Sequence, residues 1–244
     1  MAVVDAHLHL GACEIFDAEV RADDLLRVLD EQAVDQALVM PFPGAPDAAE
    51  AHDAIADLAH TSGRVRGVVN LSPHVPAAAY AAEAERCVRA LGFVALKLHT
   101  VGHAVDPMSR HGARVFAEAR RLGVAVIVHT GGVGEPFASP SHCLPPARAF
   151  PDVPIVLAHA GMGVATREAG IVARECPNVW LETSWCSVLD LRWLLDYVGP
   201  DRLMMGSDAL ENLPLELAKY RALGLDRARL ERCLAGTARE VFKL

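Results

Sequence analysis

The sequence predicts a (β/α)8 barrel, on three observations: eight short apolar runs, their near-constant spacing, and helix-like stretches between them. The runs span residues 3–9, 36–40, 65–71, 93–99, 125–129, 155–159, 179–183 and 203–208. Their C-terminal ends fall 24–31 residues apart, about the length of one βα unit. Each run is rich in Val, Leu, Ile or Met, as parallel strands buried on both faces should be. Alternating strand and helix over 244 residues fits one barrel domain, 1–244, with no linker or low-complexity segment.

In order, run 3–9 leads to a helix over 24–32. Run 36–40 leads to a helix over 47–60, with Asp47 after Pro46 as its N-cap. Run 65–71 precedes a helix over 76–91 closed by Gly92, and run 93–99 precedes one over 109–122 closed by Gly123. Run 125–129 opens an irregular segment, 130–153, with Gly131, Gly132, Gly134 and five prolines, expected to fold over the barrel mouth. Run 155–159 is followed by a helix over 164–176, and run 179–183 by one over 187–198 closed by Gly199. Run 203–208 is followed by helices over 215–223 and 227–242. The competing architecture, an open doubly wound sheet, usually carries a G-x-G-x-x-G turn after its first strand. Here Leu10-Gly11-Ala12-Cys13 follows instead.

Composition narrows the function classes. The net charge is −8 and no block of Lys and Arg occurs, which disfavours a nucleic-acid or anionic-membrane partner. No apolar run is long enough to span a bilayer. The first strand starts so early that a secretory leader has no room before it, so the expectation is a cytoplasmic protein. The six cysteines form no C-x-x-C pair and read as reduced thiols. Cys143 and Cys186 fall in predicted loops near the site, where a reactive or ligating role is the minor alternative.

The chemistry sits at the C-terminal ends of the runs, where barrels of this kind carry their active sites. His7 and His9 are two residues apart in the first strand, so they share a face. Two neutral imidazoles side by side make a ready site for a first-row metal. Lys97 and His99 end the fourth run, His129 the fifth, His159 the sixth and Asp208 the eighth. Several polar groups converging on one rim of a buried sheet are not explained by packing, because each is costly to bury unless paired or metal-bound.

Asp5-Ala6-His7-Leu8-His9, Val128-His129-Thr130-Gly131, Ala158-His159-Ala160-Gly161 and the stretch from Asp201 to Asp208 together resemble the amidohydrolase superfamily. The likeness is greatest to the branch that includes aminocarboxymuconate-semialdehyde decarboxylase and many small metal hydrolases. The closing stretch from Ala235 to Phe242 is similar to that branch's last helix. The resemblance implies that His7, His9, His129 and Asp208 ligate a divalent metal, with Zn2+ expected and Mn2+ or Fe2+ as alternatives. It implies that Asp208 also serves as general base to a metal-activated water. His159 is either an acid or base beside that water or a ligand of a second ion. Lys97 is either carboxylated, bridging two ions, or an ion-pair partner inside the barrel.

His99 either contacts substrate or caps the rim. Trp185 and His103 are further candidates for the substrate pocket, with Arg110, His142 and Arg148 behind them. Phe42-Pro43-Gly44 is either a pocket wall or a turn. His52, His60 and His111 sit in or near predicted helices and are expected on the surface.

The function expected first is hydrolysis of a small-molecule amide, ester, lactone or thioester. Non-oxidative decarboxylation or hydration of a small carboxylic acid is the alternative, and a metal-binding barrel without activity the third reading. A small-molecule substrate is the expected partner, and a homodimer is possible.

Overall fold

A computed structural model describes residues 1–132 and 134–244; Val133, inside the glycine-rich segment 130–153, lies outside the described residues. Among the described residues, nine strands form one sheet: β1 (Val4–Cys13), β2 (Ala18–Val20), β3 (Gln36–Pro41), β4 (Val65–Asn70), β5 (Ala95–Leu98), β6 (Ala125–His129), β7 (Ile155–Ala158), β8 (Val179–Glu182) and β9 (Leu203–Met204). Their order is β2-β1-β3-β4-β5-β6-β7-β8-β9. The β1–β2 hairpin is antiparallel and every other pairing is parallel. Ala6 N–H donates to Met205 O at 3.0 Å and Asp208 N–H to His7 O at 2.7 Å. These two bonds tie β1 to the stretch after β9, so the sheet is curled.

The helices are α1 (Ala22–Glu31), α2 (Ala48–Ser62), α3 (Ala77–Glu85), α4 (Arg110–Leu122), α5 (Leu144–Ala149), α6 (Thr166–Glu175), α7 (Val188–Tyr197), α8 (Leu213–Ala222), α9 (Arg227–Glu231) and α10 (Thr237–Phe242). Asp47 caps α2 as expected, its side chain accepting from Ala49 N and Glu50 N. Ser187 and Asp190 form a capping box on α7. Among the described residues, no helix is long and apolar enough to cross a membrane.

Apolar side chains divide between two clusters as strand alternation requires. Val4, Ala6, Leu38, Met40, Val68, Ala95, Ile127, Val156 and Met204 pack together with α10. Their strand neighbours Leu8, Ala37, Val39, Val69, Leu96, Val126, Val128, Leu157, Leu181 and Leu203 pack in the larger cluster with residues of the helices. Two residues beyond Val68, Ala95 and Ile127 of the first set, and beyond Trp180 packed against it, stand Asn70, Lys97, His129 and Glu182 on the same face. The alternation therefore aims these polar ends inward.

β1 needs a correction to its own alternation. Asp5 pairs with Ala37 but Leu8 pairs with Val39, so β1 holds one extra residue there. This bulge turns Leu8 and Leu10 to the helix side and His7 and His9 to the interior, against the parity set by Val4 and Ala6. Asp5 clamps it: its carboxylate accepts from His7 N at 3.0 Å, Ser207 N at 3.1 Å and Ser207 Oγ at 2.5 Å. Burial, only partly offset by these bonds, raises the Asp5 carboxyl to about 7.

The last strand is shorter than expected: it ends at Met204, the next backbone N–H, of Met205, donating to Cys233 O at 3.1 Å outside the sheet. The hairpin strand β2 and the short helix α5 were not expected from pattern. His52 is the clearest reversal: it is completely buried. Its Nδ1 lies 2.8 Å from Glu83 Oε1, and its Nε2 accepts from the backbone N–H of Asn70 at 3.1 Å. It ties α2 to β4 and α3. His52→Ala will lower stability by about 3 kcal/mol through lost packing and an unpaired Asn70 N–H. Thermal unfolding should shift down by about 10 °C, and an unchanged midpoint would exclude this role. His60 is exposed and His111 half-buried.

Candidate metal centre and cavity

His7, His9 and Asp208 converge at the C-terminal rim of the sheet. Asp208 Oδ1 lies 3.3 Å from His7 Nε2 and 3.3 Å from His9 Nε2. The surrounding acceptors assign the tautomers. His7 Nδ1 lies 2.9 Å from Glu182 Oε2, and His9 Nδ1 lies 3.2 Å from Pro41 O. Each Nδ1 therefore carries the proton, and each Nε2 turns a lone pair toward Asp208.

His129 follows the same rule through a longer chain. Ser184 Oγ donates to Glu182 Oε2 at 3.0 Å and accepts from His159 Nδ1 at 2.7 Å. His159 Nε2 then accepts from His129 Nδ1 at 3.1 Å, leaving the His129 Nε2 lone pair free. His129 lines the same cavity as His9 and Asp208. It stands outside the tight groups His7–His9–Asp208 and His7–His159–Glu182 found among the described residues.

Electrostatics favour neutral rings around one carboxylate. Burial, aided by the Lys97 charge, holds the His7 imidazole well below its usual range. Burial does the same at His99 and His129, and lowers His159 to about 4. At Asp208 burial alone would raise the carboxyl, but His159, His7 and His9 overcome it and hold it well below the usual carboxylate range. Lone pairs of neutral imidazoles facing a carboxylate oxygen form a set of acceptors that a divalent cation completes. The residues present fit such an ion.

Lys97 is wholly buried, with Nζ 3.0 Å from His7 Nε2, and burial lowers its amine to about 8. His159 has both ring nitrogens engaged by protein partners, Ser184 and His129.

The cavity beside this cluster has a volume of about 390 Å³. Phe16, Phe42, Pro43, Val101 and Ala209 give its apolar wall, and His99, Trp185 and His159 complete it with the cluster residues. The Phe42 ring stacks on His9 at 4.6 Å, and His99 stacks on His129 at 4.5 Å. Asp208 is the one ionised side chain among the described lining residues, and neither Lys nor Arg is among them.

Other expected residues fall elsewhere. His103 stands behind His99, with ring centroids 6.2 Å apart and its own Nδ1 buried without a partner among the described residues. Arg110, His142 and Arg148 are not on the described wall, and His142 pairs with Asp106 at 3.1 Å. Segment 130–153, expected over the barrel mouth, contributes no described residue to this wall. Cys143 and Cys186 are buried and their thiols pushed up, Cys186 to about 12, so neither is a reactive thiolate.

Glu182 was missed by motif reading. It is fully buried and accepts from His7 Nδ1, His159 N at 3.2 Å, Ser184 N and Ser184 Oγ. The available signal was a lone carboxylate ending an apolar strand, a costly placement unless several donors meet it.

A parallel sheet with imidazoles and a carboxylate gathered at its C-terminal rim defines an α/β protein built to hold a metal. The chain belongs to the amidohydrolase family, whose model matches residues 4–244. No curated protein matches the sequence. Among solved structures, it is similar to 5-carboxyvanillate decarboxylase from Sphingomonas paucimobilis (TM-score 0.78, 16% identity, 100% of this chain and 99% of that one). It is also similar to a dihydroxybenzoic acid decarboxylase from Polaromonas sp. JS666 with bound manganese and 2-nitroresorcinol (TM-score 0.79, 19% identity, 100% and 97%). A third is a probable 2-pyrone-4,6-dicarboxylic acid hydrolase from Acinetobacter baumannii with citric acid bound (TM-score 0.74, 13% identity, 100% of both chains).

Proposed function

We propose that this protein is a metal-dependent, non-oxidative decarboxylase of a small, planar carboxylic acid. The reading takes the curled sheet as a closed (β/α)8 barrel, supported by the two bonds between β1 and the stretch after β9. His7, His9 and His129 through Nε2, with Asp208, would hold one divalent ion, Mn2+ or Zn2+. When bound, that ion supplies a positive charge that pairs the substrate's anionic groups.

The observation that carries the choice is the cavity wall. Apart from Asp208 it offers apolar surface, aromatic rings and neutral imidazoles. A carboxylate placed there finds no Lys or Arg among the described lining residues. Loss of carbon dioxide disperses a charge that such a wall solvates poorly. Hydrolysis instead asks Asp208 to accept a proton and carry it to a leaving group. Its Oδ2 is already held by the Trp185 indole N–H at 2.8 Å, and Oδ1 faces the two imidazoles. Phe42 and Trp185 would bracket a flat substrate, with His99 at its edge. His159, which lines the cavity, would manage the proton that replaces carbon dioxide by turning its Nε2 from His129 to the substrate while Ser184 keeps hold of Nδ1. The decarboxylases similar in fold act on hydroxylated aromatic acids by their names, which agrees with this reading.

Hydrolysis is kept as the second reading on the likeness to the pyrone dicarboxylic acid hydrolase. The Mn2+-loaded protein should release carbon dioxide from hydroxybenzoic or related aromatic acids. Opening of lactones or esters with no carbon dioxide released from any acid of the panel would overturn the decarboxylase reading.

A further inference from the structure

The loop after β8 and the loop after β9 meet above the cavity, and one buried carboxylate joins them. Glu216, on the first turn of α8, is fully buried. Its Oε1 accepts from Trp185 N at 2.8 Å, Asn212 Nδ2 at 2.8 Å and Lys219 Nζ at 2.6 Å. Asn212 Nδ2 also donates to Ser207 O at 2.9 Å, one residue before Asp208. Lys219 Nζ donates to Cys186 O at 2.7 Å, one residue after Trp185. Both loops are bent at these points, with φ of 66° at Trp185 and 67° at Asp208. Such non-glycine conformations persist only where surrounding contacts determine them. Glu216 Oε2 is buried with no partner among the described residues, an arrangement that packing alone does not favour.

We propose that Glu216, with Asn212 and Lys219, is a positioning clamp that fixes Trp185 over the cavity mouth and, through the Trp185 indole N–H, fixes the orientation of Asp208. The first link is the bond from Trp185 N to Glu216. The second is the bond from Trp185 Nε1 to Asp208 Oδ2 at 2.8 Å. Trp185 is 47% exposed, so its own packing does not hold it. With the clamp intact, Oδ2 is occupied and Oδ1 faces His7 and His9. Without it, the indole swings free and the carboxylate rotates. The second link rests on Asp208 being a metal ligand; the first does not.

Two measurements test the clamp. In protein labelled with 5-fluorotryptophan, the Trp185 resonance is identified by its loss in Trp185→Phe. Glu216→Gln should shift or broaden that resonance while sparing those of Trp180 and Trp193. Mn2+ titration should show each single variant binding about tenfold more weakly, within the range for groups behind metal ligands. The double variant should also lose about tenfold, not a hundredfold, because the two act in one chain. An unmoved Trp185 resonance in Glu216→Gln, or losses that multiply in the double variant, would overturn the clamp. If the wild-type chain takes up no Mn2+, the metal reading fails, and the fluorine resonance alone decides whether Glu216 holds Trp185.

Discussion

The Glu182→Ala variant should lose about 3–5 kcal/mol of stability, the range for breaking a buried charged network by removing one member. Four donors would be stranded at once: His7 Nδ1, His159 N, Ser184 N and Ser184 Oγ. Each buried donor without an acceptor costs about 1–3 kcal/mol, and partial relaxation keeps the total below their sum. Unfolding by heat should begin roughly 10 °C lower or more. Glu182→Gln separates the structural from the chemical effect. It keeps the volume but presents an N–H2 group to either His7 or Ser184. Facing His7, it would drive the proton from Nδ1 to Nε2 and block the lone pair that faces Asp208. Mn2+ affinity should then fall about 10- to 100-fold with a smaller loss of stability. A glutamine variant that binds Mn2+ as tightly as wild type would show that Glu182 does not set the His7 tautomer. Gly206 belongs to the same argument, since a Cβ there would sit 2.7 Å from Glu182 Oε1.

How far the sequence carried this picture depends on the range of the contact involved. Strand β6 falls at the expected residues, and α2 and α7 begin at their caps, because apolar runs and Asp47 or Ser187 act over a few residues. The pair His7 and His9 was legible as a shared face, but the bulge that points them inward was not. It depends on Asp5 meeting Ser207, 202 residues away in the chain. Glu182 meets His7 across 175 residues, and no spacing rule reports such a pair. His52 looked like a surface helix residue for the same reason, since its partners Asn70 and Glu83 lie on two other elements. β2 escaped because Ala18-Glu19-Val20 is only three residues long and half-exposed, too short for its alternation to stand out. What pattern did supply was the set of polar residues at strand ends, most of which the fold brings to one cavity.

His7→Ala should abolish metal binding and activity together while leaving a folded protein. The imidazole occupies the centre of the cluster, between Glu182 on one nitrogen and Asp208 and Lys97 on the other. Its removal opens a space beside two carboxylates and an amine. The Lys97 amine, 3.0 Å from the lost Nε2, is the nearest cation and would turn toward Asp208 and Glu182. An ammonium then neutralises the charge that a divalent ion is needed for, so affinity should fall by more than about 100-fold. The same placement bears on the number of ions. A second ion would need a lone pair from His159, yet His159 Nδ1 and Nε2 are committed to Ser184 and His129. Elemental analysis of the wild-type protein should therefore give one equivalent per chain, and intact mass should match unmodified Lys97. Lys97→Met should keep that equivalent and bind it at least as tightly, because a competing cation has been removed. Two equivalents in wild type falling to one or none in Lys97→Met, with a mass excess of one carbon dioxide, would establish the bridged pair of ions instead. Full metal occupancy in His7→Ala would remove His7 from the ligand set altogether.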